Sequence, residues 1–250
     1  MTWPTAALLA GAGICAGLTG SIAGLASLFS YPALLAAGLP PLTANVTNAV
    51  SLIFSSVGSV FGSRLELRGR NRRRMRVYLV ASFFGGLTGG LLLENTPAAT
   101  FEYVVPILIA MASVALVLPR RPHGADDDLA GDPAWLVPAI FAIGIYGGYF
   151  GAGAGTMLLA LLLLITTDSL AVCNAVKNLV LGAANGVAAI LFALTASVDW
   201  AAVAPLALGL LLGSACGPWV VRHAPVQPLR WVIAVAGLGL AAKLGWQAYR

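Results

Sequence analysis

Lys177 demands the most explanation of any residue in this chain. It is a cation well inside a long apolar segment, three residues after Asn174 and one before Asn178. Asn174 and Asn178 stand four apart, so on a helix all three side chains share one side. Thr47, Asn48 and Ser51 show similar spacing in an earlier apolar segment. A charge at that depth costs about 3 kcal/mol on insertion scales. A structural reading is that the lysine snorkels toward headgroups or ties to backbone carbonyls. An anionic solute better explains an ammonium among amides and hydroxyls, because the apolar segments hold no acid that is an obvious partner. Asp168 is near in sequence, but it precedes Ser169 at a helix start, which predicts N-terminal capping.

Glycine strings stand upstream of both polar segments and must position them. Gly17-x-x-Gly20-x-x-x-Gly24 recurs as Gly148-x-x-Gly151-x-x-x-Gly155, with Gly153 inside the second string. Asn48-Ala49-Val50 and Asn174-Ala175-Val176 follow them. Gly86-x-x-x-Gly90 matches Gly213-x-x-x-Gly217, and Pro97 matches Pro225. Matches in the same order indicate an internal duplication. Small residues let helices approach closely, and glycine also accepts bends that free backbone amides. Close packing is the reading for Gly86, Gly90, Gly213 and Gly217, and it is the plain alternative at the first strings. There the polar helices that follow favour a break instead, with half-helix N-termini and free N–H groups near Gly20, Gly24, Gly151, Gly153 and Gly155 converging on an anion. Bare backbone at membrane depth must be buried in protein or line a cavity.

Composition places these segments in a bilayer. Hydrophobic residues make up 59% of the chain and charged ones only 9%, with a mean hydropathy of +0.90, a surface that water could not solvate. The chain reads as one membrane domain over 1–250. No basic residue precedes the first apolar stretch, so that stretch is expected to stay in the mature fold rather than to be a signal peptide. Cys15, Cys173 and Cys216 lie in apolar segments and read as small buried hydrophobes, not as a disulfide framework.

The net charge of +5 does not indicate nucleic acid, because the arginines from Arg64 to Arg76 crowd one short loop without aromatic interleaving. That loop is a cytoplasmic anchor by the positive-inside rule. Glu94 to Thr100 reads as outside, Pro119 to Pro133 as inside, Thr195 to Asp199 as outside and Arg222 to Arg230 as inside. Both termini are then outside. The loops after the two Asn-Ala-Val helices face opposite ways, so the halves are inverted and each crosses an odd number of times.

The fold class expected is therefore all-α: a polytopic membrane protein of two inverted-topology repeats, each a broken re-entrant helical hairpin plus three spans. Repeat 1 covers about 5–118, a cytoplasmic linker about 119–133, and repeat 2 about 134–250. The first hairpin is expected over about 5–38, with spans near 42–63, 77–93 and 101–118. The second is expected over about 135–166, with spans near 169–194, 200–221 and 229–247.

Several stretches resemble the sulfite exporter TauE/SafE family of membrane permeases: Tyr146-Gly147-Gly148-Tyr149-Phe150-Gly151-Ala152-Gly153-Ala154-Gly155, Thr167-Asp168-Ser169-Leu170, Asn174-Ala175-Val176-Lys177-Asn178 and Val198-Asp199-Trp200. The resemblance spans essentially the whole chain. In the first half, Gly24-Leu25-Ala26-Ser27 stands where the family often has a string ending in three glycines. The family implies movement of sulfite, organosulfonates or other small sulfur oxyanions across the bacterial inner membrane. The residues alone reach an anion carrier, without sulfur.

No Gly-x-x-x-x-Gly-Lys-Ser/Thr loop is present, so no ATP use, and no cofactor or metal, is expected. His123 and His223 fall in expected cytoplasmic loops, which argues against an enzyme active site in the bilayer. Cys173 reads as packing rather than as a handler of sulfane sulfur. The partners expected are a small anion and the lipid bilayer; a homo-oligomer is compatible with the pattern. The alternative is a membrane receptor or assembly factor without transport activity.

Overall fold

The computed structural model describes residues 2–117, 133–166, 168–223, 235, 238–239 and 241–246. The expected linker at 119–133, apart from Pro133, lies outside these residues. So do Pro225, the loop from 224 to 230 and most of the expected span near 229–247.

All regular structure among the described residues is helical: α1 (Trp3–Ala23), α2 (Ser27–Ala36), α3 (Pro41–Gly62), α4 (Arg72–Glu94), α5 (Ala98–Val117), α6 (Leu136–Tyr149), α7 (Ala154–Ile165), α8 (Leu170–Thr195) and α9 (Trp200–His223). The boundaries have local causes. Proline opens α1 and α3, where its missing N–H is one that a helix would leave unpaired. Asn71 caps α4 by accepting from the Arg73 and Arg74 amides. Ser169 caps α8 by accepting from Val172 N. The cap is thus the serine rather than Asp168, whose carboxylate instead accepts from Arg70 Nη1 at 2.5 Å.

Five helices are long and apolar enough to cross a bilayer: α1, α3, α4, α8 and α9. Large apolar side chains such as Ile14, Phe84 and Leu208 face outward, while Asn45, Asn48, Asn174 and Lys177 are buried. That inside-out distribution is what a lipid solvent asks for. The chain breaks where the glycine strings stand, between α1 and α2 and between α6 and α7. The first arm is longer than the expected hairpin at 5–38 implied, because α1 runs unbroken for 21 residues, about 31 Å at 1.5 Å per residue.

Side-chain contacts fix helix directions. The start of α8 is tied to the α3–α4 loop by Asp168 and Arg70. At the other end, Thr195 of α8 bonds Glu94 of α4, and Asp199 N, just before α9, donates to Thr47 near the start of α3. So α3 and α8 run in opposite directions, and so do α4 and α9. Packing partners follow the same exchange: α1 packs on α9 as α6 does on α4, and α3 packs on α9 as α8 does on α4.

The glycine seams reveal the register of these contacts. A Cβ on Gly209 would meet Ala10 O at 2.2 Å, and one on Gly213 would meet Ile14 O at 2.1 Å. A Cβ on Gly85 would meet Phe141 O at 2.3 Å, and one on Gly89 would meet Ile145 O at 2.0 Å. With Gly17 matched to Gly148, the counterparts of Gly209 and Gly213 are therefore Gly85 and Gly89. The match of Gly86 and Gly90 to Gly213 and Gly217 is corrected by three residues. Gly86 and Gly90 instead face Ala184 and Leu191 of α8, so α4 presents glycine to two neighbours. Adjacent glycine pairs make either register readable in sequence, and only the packing separates them.

Candidate functional site

The two breaks meet back to back at Gly24 and Gly155. A Cβ on Gly24 would lie 2.3 Å from Gly155 Cα, and one on Gly155 would lie 2.4 Å from Gly24 Cα. Gly24, Gly151 and Gly153 have φ of 78°, 77° and 80°, a left-handed conformation that costs other residues about 1–2 kcal/mol. These three glycines turn the chain, whereas Gly20 and Gly155 let backbones touch.

A break frees carbonyls that must find donors, since nothing in hydrocarbon supplies them. Each donor named here comes from another element. Lys177 Nζ donates to Gly20 O at 3.1 Å and to Ser21 O at 3.2 Å. Ser21 O also accepts from Asn174 Nδ2 at 2.8 Å and from Asn178 Nδ2 at 3.4 Å. Thr156 Oγ1 donates to Ala23 O at 2.6 Å. At the second break, Asn45 Nδ2 donates to Tyr149 O at 2.9 Å, and the Tyr146 hydroxyl to Ala152 O at 2.6 Å. The Phe150 ring meets Tyr31 of α2 edge-on at 5.4 Å and Phe101 of α5 at 6.1 Å. These contacts set the crossing of α6 and α7 against the first half.

Lys177 is only 1% exposed, and its ammonium lies at the C-terminal end of α1. Negative dipole and bare carbonyls favour a cation there. The tie to carbonyls foreseen as the structural reading is therefore present. It does not remove the lysine from the site, because Lys177 also lines a cavity of about 60 Å³ between the breaks, α3 and α8. At about 10–15 Å³ per water position, that volume takes a few waters or one small oxyanion.

Six of the residues singled out from the sequence line this cavity: Gly20, Gly24, Gly151, Gly155, Lys177 and Asn178. The others stand around it. Asn174 holds α1, and Gly153 caps the start of α7. Asn48 clamps the first turn of α2, its Nδ2 donating to Ser27 Oγ at 3.1 Å and its Oδ1 accepting from Ser30 Oγ at 2.5 Å. Thr47 reaches the α8–α9 turn through Asp199 N, and Ser51 donates back to Thr47 O.

The wall contains residues the sequence reading did not place in the site: Ser27, Ser55, Ser56, Ser59 and Asn185. A signal was present, because Ser51, Ser55 and Ser59 recur every fourth residue along α3 and form a polar stripe. A second cavity, of about 440 Å³, lies at the other end of α3 and α8, where Thr43, Glu94, Thr195 and Ser197 line it. Cys173 is away from both. Its Sγ stands 3.3 Å from Thr166 Oγ1 and donates to Asp168 O at 3.6 Å, which is a packing role.

Chemically, the carbonyls that could hold a free cation already carry donors. The elements facing the cavity include the first turns of α2 and α7 at Ser27, Ala154 and Gly155, whose amides a helix leaves unpaired. The site is thus rich in donors. The profile of the family described as Sulfite exporter TauE/SafE matches residues 9–244. The chain belongs to that family. The TauE/SafE chain is 26% identical over 238 residues to the probable membrane transporter protein YfcA of Escherichia coli strain K12, covering 94% of this chain and 87% of that one. It is 31% identical over 157 residues to a probable membrane transporter protein of Haemophilus influenzae, covering 61% of this chain and 60% of the relative. A probable membrane transporter protein, ORF9, of Sinorhizobium sp is 30% identical over 151 residues, with 58% and 56% covered. The chain is a multi-pass membrane protein of a transporter family.

Proposed function

We propose that this TauE/SafE chain is a secondary carrier that moves a small anion, of the sulfur-oxyanion or organosulfonate kind, across the bacterial inner membrane. One observation carries the reading: two helix breaks meet at Gly24 and Gly155 beside a buried lysine, around a cavity whose wall is amide and hydroxyl. Lys177, Asn178, Gly20, Gly24, Gly151 and Gly155 contact the anion. Asn174, Asn48, Gly153, Thr47 and Ser51 hold the helix ends that shape its site.

An inverted repeat, with the halves at about 5–118 and 134–250, is supported by the opposite directions of α3 and α8 and by the exchange of packing partners. Two hairpins that rock about a midplane site would open the smaller cavity and the larger one in turn. The arginine-rich loop faces the cytoplasm and both termini face outside.

The test is flux into proteoliposomes across sulfite, sulfoacetate, taurine, thiosulfate, sulfate and lactate, with wild type and Lys177→Ala. Wild type should move at least one sulfur oxyanion or sulfonate, and Lys177→Ala should not. If no anion moves or competes, the protein is not this carrier; if Lys177→Ala transports normally, the site lies elsewhere.

A further inference from the structure

We propose that the cavity admits anions carrying one negative charge and rejects dianions of the same size. The inference rests on the anion-carrier reading above and adds the charge of the cargo.

The argument begins with the helix ends. A helix N-terminus carries about half a positive unit charge and a C-terminus about half a negative one. At the first break the C-terminal end of α1 lies beside the N-terminal end of α2, and at the second the end of α6 lies beside the start of α7. Each break therefore offsets its own dipole. Convergence of two N-termini, taken alone, would overstate the positive field, because two C-termini converge as well. What is left is the unit charge of Lys177, the one charged side chain lining the cavity among the described residues. The rest of the polar wall, including Ser55, Ser59 and Asn185, is neutral. Such groups spread an anion's charge over donors without cancelling it.

The cavity of about 60 Å³ has no room for an anion together with a screening shell of water. In a low-dielectric interior a monoanion forms a neutral pair with the lysine, whereas a dianion leaves one charge buried and unmatched.

Methanesulfonate and sulfate share a tetrahedral frame and nearly the same size, and they differ in a methyl group for a charged oxygen. In proteoliposomes loaded with wild-type protein, methanesulfonate should compete for uptake of labelled methanesulfonate at least about tenfold better than sulfate does. Sulfite should compete better as pH falls and it becomes bisulfite, while methanesulfonate uptake should not follow that change.

Asn185→Lys adds a second cation to the wall and should improve competition by sulfate about tenfold. Ser56→Lys, on the facing helix, serves if the first variant does not fold. The proposal is overturned if sulfate competes as well as methanesulfonate in wild type. It is also overturned if a lysine variant that still takes up methanesulfonate shows no gain for sulfate. Equal competition would remove the charge rule alone, whereas vesicles that take up no anion would remove the carrier reading with it.

Discussion

Gly24 and Gly155 come from different halves of the chain, yet neither could carry a methyl group without striking the other's backbone at about 2.3–2.4 Å. The site is defined by this contact, since the breaks that free its amides are held in register there.

Gly24→Ala and Gly155→Ala should therefore be among the most damaging alanine substitutions in the protein. Overpacking costs about 1–3 kcal/mol, and at Gly24 the left-handed φ of 78° adds about 1–2 kcal/mol. Gly11→Ala is the control, because nothing lies within 4 Å of a Cβ there. Thermal melts in detergent should show large drops for the first two and none for the third.

Lys177→Ala should lower flux by about thirtyfold or more, in line with the roughly 2–5 kcal/mol lost when one partner of a buried charged hydrogen bond is removed. Lys177→Arg should not restore it. At 1% exposure the site holds a compact ammonium, and a planar guanidinium has a different shape and donor pattern. Initial rates in proteoliposomes measure both variants, and normal rates for either would contradict this geometry.

Asn45→Ala and Thr156→Val should each destabilise by about 1–3 kcal/mol, because each strands a freed carbonyl, at Tyr149 and Ala23 respectively. Ser56→Ala removes no donor from those carbonyls. Its melting temperature should stay near that of wild type, which separates stability from the binding wall.

Arg70→Cys and Ser197→Cys should react with an impermeant thiol reagent from opposite sides of the membrane, in a background with the three native cysteines replaced. Labelling of both from one side would refute the proposed inversion.

Much of the framework was legible in composition and spacing. The expected spans near 42–63, 169–194 and 200–221 correspond to α3, α8 and α9, since long apolar runs in lipid have few alternatives to a helix. The glycine strings also marked the breaks. What was not legible is which partner each polar side chain takes. Asn48 and Asn178 occur in similar polar contexts, yet one clamps α2 and the other faces the cavity. That difference depends on helix rotation, which spacing along one helix does not specify. The role of Asp168 was hidden for a related reason, because its partner Arg70 is 98 residues away in the chain.

The donors that complete the end of α1 are made long after α1 itself. Thr156 follows Ala23 by 133 residues, and Lys177 follows Gly20 by 157. At about 5–20 residues per second, a ribosome takes about 8–30 s to make 157 residues. Through that interval the newborn first half has neither Thr156 nor Lys177 for its bare carbonyls. Its insertion and its completion are separate events in the life of the chain, and any cellular factor that shelters the nascent protein has that window in which to act.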